Sequence, residues 1–482
     1  MKEYWQNYID GQFIDGGAGK IQVDDPGTGK RLADQALASE KDVDRAVEAA
    51  TRVHKSCFLT DMRPVERARM VKKIGEYLLE KADEIAPILS REAGKTLFEA
   101  RLEVTNAARY FEYYGNQAET LEGRSIPLGS TYYDFTTYEP YGISAQVIPW
   151  NFPMEMTARS LSTGLTTGNT CVIKTPELTP LTQYYYAGAV EFAGFPPGTV
   201  NILCGIGNQA GEYLCSHPGV RQIAFTGSVK TGSAIATAAA KNIVPTVLEL
   251  GGKSAGIVCE DASMSNLSEN IRKGIFFNAG QVCSAMSRLV VHEKIYDDVV
   301  ELSQDIAKKM SVGPGIERSE FAHNMGAMIS LKQRDRAVFI CDQAQKQGAK
   351  AVTGGRPLNN EGFFLEPTVF SDVEQSMEIA HTEIFGPVLS ILKYKTEKEA
   401  IDIANGTEYG LVGGVFTQDL DKAMFCSQKI KAGQIFVNEW FAGGVETPFG
   451  GYGKSGYGRE KGREALLNYV QTKNIAIKLG HN

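Results

Sequence analysis

Between Ser39 and Val53 the apolar residues Val43, Ala46, Val47, Ala50 and Val53 return every three or four positions, a spacing that collects them on one face of a helix. Ser39 and Asp42 stand at its start in the pattern of a capping box. The stretch "RPVERARMVKKIGEYLLEKADEIAPILSREAG" keeps the same period, with Pro64 near its start and Gly94 at its end, as helix punctuation requires, and predicts a helical hairpin. After Pro140 the period changes. Short β-rich runs occupy residues 143–149, 170–175, 199–205, 220–227 and 245–252, separated by helix-compatible stretches. That alternation predicts an α/β fold built on a doubly wound parallel sheet. A second β/α series runs from about Ser254 to Gly450 and includes "SRLVVHEKIY" and "AGQIFVNEW".

Two segments fit neither series. "STYYDFTTY" (130–138) and "NYVQTKNIAIKLG" (468–480) alternate like strands but lie far apart, each without an evident neighbour. Strands without a local partner often pair across subunits, so the expectation is a small oligomerisation element; an ordinary edge strand is the alternative. "GGYGKSGYGRE" (450–460) reads as a Gly-rich loop.

The chain of 482 residues, 43% hydrophobic, suits about three domains of roughly 150 residues each. No apolar run reaches the roughly 18 residues of a membrane span, and the N-terminus lacks a basic-then-apolar leader. A soluble, cytoplasmic protein is expected. Eight cysteines and six histidines are dispersed without CxxC or regular spacing, so neither a disulfide framework nor a metal site is signalled. Net charge is −7 and no Lys/Arg block occurs, which argues against nucleic-acid and anionic-membrane partners. A small-molecule substrate remains.

Candidate chemistry sits at strand ends. In "FFNAGQVCSAMSR" (276–288) Cys283 lies among small and amide residues, which leave room for a substrate and backbone N–H groups for an oxyanion. The other seven cysteines read as small buried hydrophobes. "FTGSVKTG" (225–232) spaces Gly227 and Gly232 around a strand-to-helix turn where a phosphate can meet a helix N-terminus; Ser233 excludes a Walker loop. Lys174 and Glu177 follow a β-run, where a carboxylate can accept from ribose hydroxyls and repel a 2′-phosphate. Glu249 in "LELGGKS" is confined between leucines, and confinement raises a carboxylate toward general-base range. "PWNFP" presents Asn151 on a rigid turn, an amide that could donate to an oxyanion. Each of these also has a plain structural reading as a turn or a solvated charge.

In this order and spacing, with "EIFGPV" (383–388) and "PFGGYGKSGYGRE" (448–460), the motifs resemble the NAD(P)-dependent aldehyde dehydrogenase superfamily over essentially the whole chain. The resemblance implies an NAD-binding domain (1–120 and 141–250), a second α/β catalytic domain (251–450), and a β-extension (121–140 and 465–482) joining subunits into homodimers or homotetramers. It implies Cys283 as nucleophile, Glu249 as general base and Asn151 as oxyanion donor, with Lys174 also in the catalytic set. For the cofactor it implies Ile148, Pro149, Trp150, Lys174, Glu177, Gly207, Phe225, Gly227, Ser228, Leu250, Glu383 and Phe385, with NAD favoured over NADP by Glu177.

For the substrate the resemblance points to Phe152, Arg159, Phe277, Trp440 and Phe449. Arg159 stands where relatives with apolar substrates carry an aromatic residue, and it suggests a carboxylate or hydroxyl tail read by hydrogen bonds, as in semialdehyde and lactaldehyde dehydrogenases. A salt bridge inside a helix is the alternative. Phe277 stands where the succinic semialdehyde enzymes usually have a second arginine. Trp440 and Phe441 suggest that part of the tail is aromatic or flat. A coenzyme-A-acylating relative generally lacks the base, so Glu249 argues for water; a cofactor-independent thiol esterase leaves the Gly227 turn and the Lys174/Glu177 pair unexplained. A non-catalytic protein on this fold would not need every one of these groups.

Overall fold

The structure is a computed structural model and describes residues 2–320, 323–358 and 361–480. The helix expected after Ser39 spans Glu40–Lys55 with Ser39 as N-cap, and its capping box with Asp42 is formed. The predicted hairpin is realised as Pro64–Glu80 and Ala82–Ala93, ending at Gly94 in the left-handed conformation. A longer helix, Leu97–Gln117, follows. Five strands between Tyr4 and Ala36 were not legible: three are only two or three residues long and carry no period, and Lys20–Asp25 and Lys30–Ala36 are mostly polar or charged.

The five β-rich runs pair in parallel at the centre of an eight-stranded sheet. Across it lie Thr246–Glu249, Gln222–Thr226, Ile143–Val147, Thr170–Thr175 and Val200–Cys204, flanked by antiparallel edges from the N-terminus and from Gly456–Tyr457. The first strand in sequence, Ile143–Val147, is central, so the winding reverses beside it and opens a crevice at its carboxyl end. The residues after it, Ile148 to Asn151, enter that crevice.

A seven-stranded sheet carries the second series, parallel except for Lys350–Thr353 at one edge. Its core strands are buried along their length, which explains why they read as continuous apolar runs. The two segments without an evident neighbour in the sequence form a small sheet of their own. They find each other: Val470–Lys478 pairs antiparallel with Tyr132–Pro140 in unbroken register from Val470↔Pro140 to Lys478↔Tyr132, and Ser125–Ile126 adds a third strand. Residues 481–482 of the proposed extension lie outside the described residues.

The Gly-rich loop is also more than a loop. Gly456 pairs with Glu249 in the edge strand, at φ +104°, and a Cβ there would meet the Leu248 carbonyl oxygen at 1.9 Å. Only glycine lets the chain pass so close. Gly456→Ala is expected to destabilise the protein by roughly 1–3 kcal/mol and to displace Glu460 downstream; a calorimetric midpoint equal to wild type would show that the strand passes elsewhere.

Candidate active site

The helix Pro153–Thr166 runs through the interior, with every residue except Glu155 buried. Its hydroxyls fold back on the helix: Ser160, Ser162 and Thr163 donate to the carbonyls of Met156, Ala158 and Arg159 at 3.1, 2.6 and 2.8 Å, satisfying themselves without water. A guanidinium cannot do this. Arg159 is 3% exposed, its Nε ion-pairs with Glu460, and its Nη2 donates to Thr226 Oγ1 at 3.0 Å and to Glu249 Oε2 at 3.4 Å. Arg159 also lines a second cavity, with its charge paired to Glu460 and Glu249. Glu460 carried no signal in the sequence, since a carboxylate after glycines looks like a solvated loop charge.

The Asn151 turn is held from below by Lys95, whose Nζ donates to the Asn151 carbonyl at 2.7 Å. Lys95 ion-pairs with Glu103, and Glu103 accepts from the N–H groups of Met154 and Glu155 at 2.8 and 3.3 Å. Asn151 Nδ2 donates to the Gln281 carbonyl at 3.1 Å, leaving one amide hydrogen of two for an oxyanion.

Cys283 follows three successive left-handed residues, Asn278, Ala279 and Gly280, a strained path for non-glycine residues. Two buried groups hold it: Glu99 accepts from the Asn278 N–H at 2.7 Å, and Gln281 Oε1 accepts from the Ile329 N–H at 2.8 Å. The turn leaves Cys283 partly exposed, whereas Cys171, Cys204, Cys215, Cys259, Cys341 and Cys426 are buried. Cys57 departs from expectation: it is exposed, in a left-handed turn between two helices.

Glu249 ends its strand almost fully buried. Burial pushes its carboxyl up to about 7, and Arg159 pulls the other way. Burial also pushes the Cys283 thiol well above its ordinary value, reinforced by the Glu249 carboxylate beside it.

Two cavities meet at this thiol. One, of about 830 Å³, lies at the crevice of the first sheet, and all the cofactor contacts expected from the sequence line it. Ser228 N-caps the helix Val229–Ala240, which presents free N–H groups there. Lys174 and Glu177 pair at 2.9 Å, and Glu177 accepts from the Gly207 N–H at 2.7 Å. Lys174 lines this cavity, as do Asn151 and Cys283. Glu383 accepts from the Gly252 N–H at 3.1 Å, and a Cβ on Gly251 would fall 2.2 Å from its carboxylate. These groups suit an elongated, phosphate-bearing dinucleotide with ribose hydroxyls. Gln333 and Arg336, which donate to the carbonyls of residues 383 to 385 at 3.0–3.2 Å, carry no signal in the sequence, because polar residues in the first turns of a helix look solvated.

The second cavity, of about 520 Å³, is lined by Phe152, Phe277, Phe436, Phe441 and Phe449. Phe152 and Phe277 lie nearly parallel, centroids 6.2 Å apart, and Phe277 leans on Phe441 at 6.5 Å. Trp440 does not belong here. It is wholly buried in the core of the second domain, with its indole N–H donating to the Ser284 carbonyl at 2.9 Å; the left-handed backbone at Phe441 sends the next ring to the cavity instead. Among the described residues, Cys283 is the one that lines both cavities.

The Cys283 thiol thus stands between a dinucleotide-sized crevice and a pocket walled by aromatic rings. Residues 13–475 match the aldehyde dehydrogenase family, and the chain belongs to it. It is an enzyme of the class that oxidises aldehydes to acids. It is 40% identical over 475 residues to an aldehyde dehydrogenase of Emericella nidulans, covering 98% of this chain and 95% of the other. Among solved structures it is similar to an aldehyde dehydrogenase of Bacillus cereus in complex with NAD+ (TM-score 0.97, 36% identity, 99% and 97% of the two chains). It is similar also to an NAD-dependent aldehyde dehydrogenase of Sinorhizobium meliloti (0.97, 35%, 100% and 96%).

Replacing Glu103 with Ala strands the Lys95 charge in the interior, and the loss of one partner of a buried pair is expected to destabilise by about 3–5 kcal/mol. Calorimetry checks this; an unchanged midpoint would show that Lys95 is solvated.

Proposed function

We propose that this enzyme oxidises aldehydes carrying an aromatic or otherwise flat, apolar tail, with Cys283 as nucleophile and NAD preferred over NADP. The observation that carries the reading is the ring-walled cavity that reaches Cys283. Its charged lining is balanced: Glu99, Glu103, Glu155 and Glu446 against Arg109, Arg159, Lys273 and Lys461, four negative and four positive. Arg159 is already paired with Glu460 and Glu249, so this arginine gives no support to a semialdehyde with a terminal carboxylate.

The thiol proton passes to Glu249 as Sγ adds to the carbonyl carbon. Charge then collects on the former carbonyl oxygen, opposite the free amide hydrogen of Asn151 and the Cys283 N–H. NAD, when bound, supplies the acceptor for the hydride whose loss turns this adduct into a thioester. Glu249, once it has given the thiol proton up to solvent, takes a proton from the attacking water, the C–S bond of the thioester breaks to return the Cys283 thiolate, and the carboxylate product leaves. A base this close to the thiol favours water over coenzyme A as the acyl acceptor.

Glu177 supports NAD, because a 2′-phosphate beside that carboxylate meets like charge. The three sheets support the domain division 1–120 with 141–250, 251–450, and 121–140 with 465–482, the last as the subunit-joining element of a homodimer or homotetramer. Cysteines left unpaired throughout the chain favour a reducing compartment such as the cytoplasm.

The test is NAD reduction with benzaldehydes differing only in a 4-methyl, 4-hydroxyl or 4-carboxylate group. The methyl and hydroxyl compounds are expected to give the higher kcat/KM; the highest value with the carboxylate would overturn the substrate reading. Cys283→Ala is expected to abolish turnover while NAD still binds, and turnover near wild type would remove Cys283 from its role. Only ionised Glu249 accepts a proton, so breakdown of the acyl-enzyme is expected to slow as pH falls through about 7, followed by rapid-quench mass spectrometry. A flat profile there would exclude Glu249 as the base.

A further inference from the structure

The mechanism leaves unexplained a buried arginine set between two buried carboxylates. Arg159 comes from the helix Pro153–Thr166, Glu249 from a strand end, and Glu460 from the Gly-rich loop. All three are at least 96% buried, so no solvent screens their charges. Glu460 is fixed through its backbone, which exchanges hydrogen bonds of 2.7 and 2.6 Å with Phe449. Arg159 is thus anchored on one side by Glu460 and by Thr226 at 3.0 Å, and reaches Glu249 Oε2 with Nη2 at 3.4 Å. The other carboxylate oxygen, Glu249 Oε1, has no hydrogen-bond partner among the described residues, and the carboxylate interacts with the Cys283 thiol.

We propose that Arg159 is a positioning residue for the general base: held by Glu460, it grips one oxygen of Glu249, keeps the other free for proton transfer at Cys283, and sets the pH at which water is activated. The proposal rests on Glu249 being that base. It replaces the reading of Arg159 as the sensor of a substrate carboxylate.

The charges point the same way. Burial raises Glu249, Arg159 lowers it, and Glu460 raises it again. The other groups acting here are Lys461 beyond the Phe449 ring, Cys283, and Tyr110, Tyr114 and Tyr469, whose phenols burial holds protonated. Of these, Arg159 is the one cation in contact with the base. Neutralising Arg159 and neutralising Glu460 therefore act on Glu249 in opposite directions, a signature that a substrate sensor or a purely structural residue does not give.

The experiment follows decay of the acyl-enzyme formed from 4-methylbenzaldehyde and NAD across the neutral pH range, in Arg159→Gln, Arg159→Lys, Glu460→Gln and Glu249→Gln. In Arg159→Gln the acid limb is expected to move up by roughly one to three pH units, about a tenfold slowing per unit on that limb. Arg159→Lys is expected to restore part of the shift, and Glu460→Gln to move the limb down. KM for 4-methyl- and 4-carboxybenzaldehyde should change by similar factors. A limb that stays in place, or moves the same way in the Arg159 and Glu460 variants, overturns the proposal, as does a KM increase confined to the carboxylate compound. If Arg159→Gln does not fold, Arg159→Lys and Glu460→Gln decide. A limb that survives in Glu249→Gln defeats the assignment of the base itself; its disappearance there, with no shift in the other variants, defeats only the positioning role.

Discussion

The Lys95–Glu103 ion pair is sealed from solvent, and the active site hangs from it. A charged pair in a low-dielectric interior persists only when further hydrogen bonds complete it. Here the completing groups are the Asn151 carbonyl and the first N–H groups of the helix Pro153–Thr166. The pair therefore holds the Asn151 turn and starts the helix that carries Arg159. Glu99, a helical turn away from Glu103, holds the strained turn before Cys283 in the same way. One helix, Leu97–Gln117, thus governs both walls of the reaction centre through two buried carboxylates.

The need to bury charge also shapes the chemistry. Glu249 must be dry to be basic enough, yet a dry carboxylate without a partner stays protonated. Contact with Arg159 offsets the burial, and Glu460 tempers Arg159. The thiol stands where the two cavities meet, and the rings of Phe152, Phe277 and Phe441 wall the second of them.

The sequence and the structure part company where a side chain's meaning depends on a distant partner. Arg159 at its motif position suggests a tail sensor; only the return of the chain three hundred residues later, carrying Glu460, shows its charge to be occupied. Trp440 and Phe441 are neighbours with interchangeable signals, and a left-handed backbone decides which enters the core. The strands at 132–140 and 470–478 look partnerless because sequence distance hides their pairing.

By itself the sequence determined the helical period after Ser39 and in the hairpin ending at Gly94, the five parallel strands at the centre of the first sheet, the glycines of the turn at 227–232, and the motifs that carry Cys283, Glu249 and Asn151. These are local properties: side-chain spacing, backbone permission and intrinsic chemistry travel with the residues. Tertiary structure alone decided that the two cavities meet at Cys283, that the second is apolar, that Arg159 is already paired, and that Lys95, Glu99 and Glu103 support the reaction centre. Those facts are set by burial and by contacts between residues far apart in the chain, and neither is written in any short stretch.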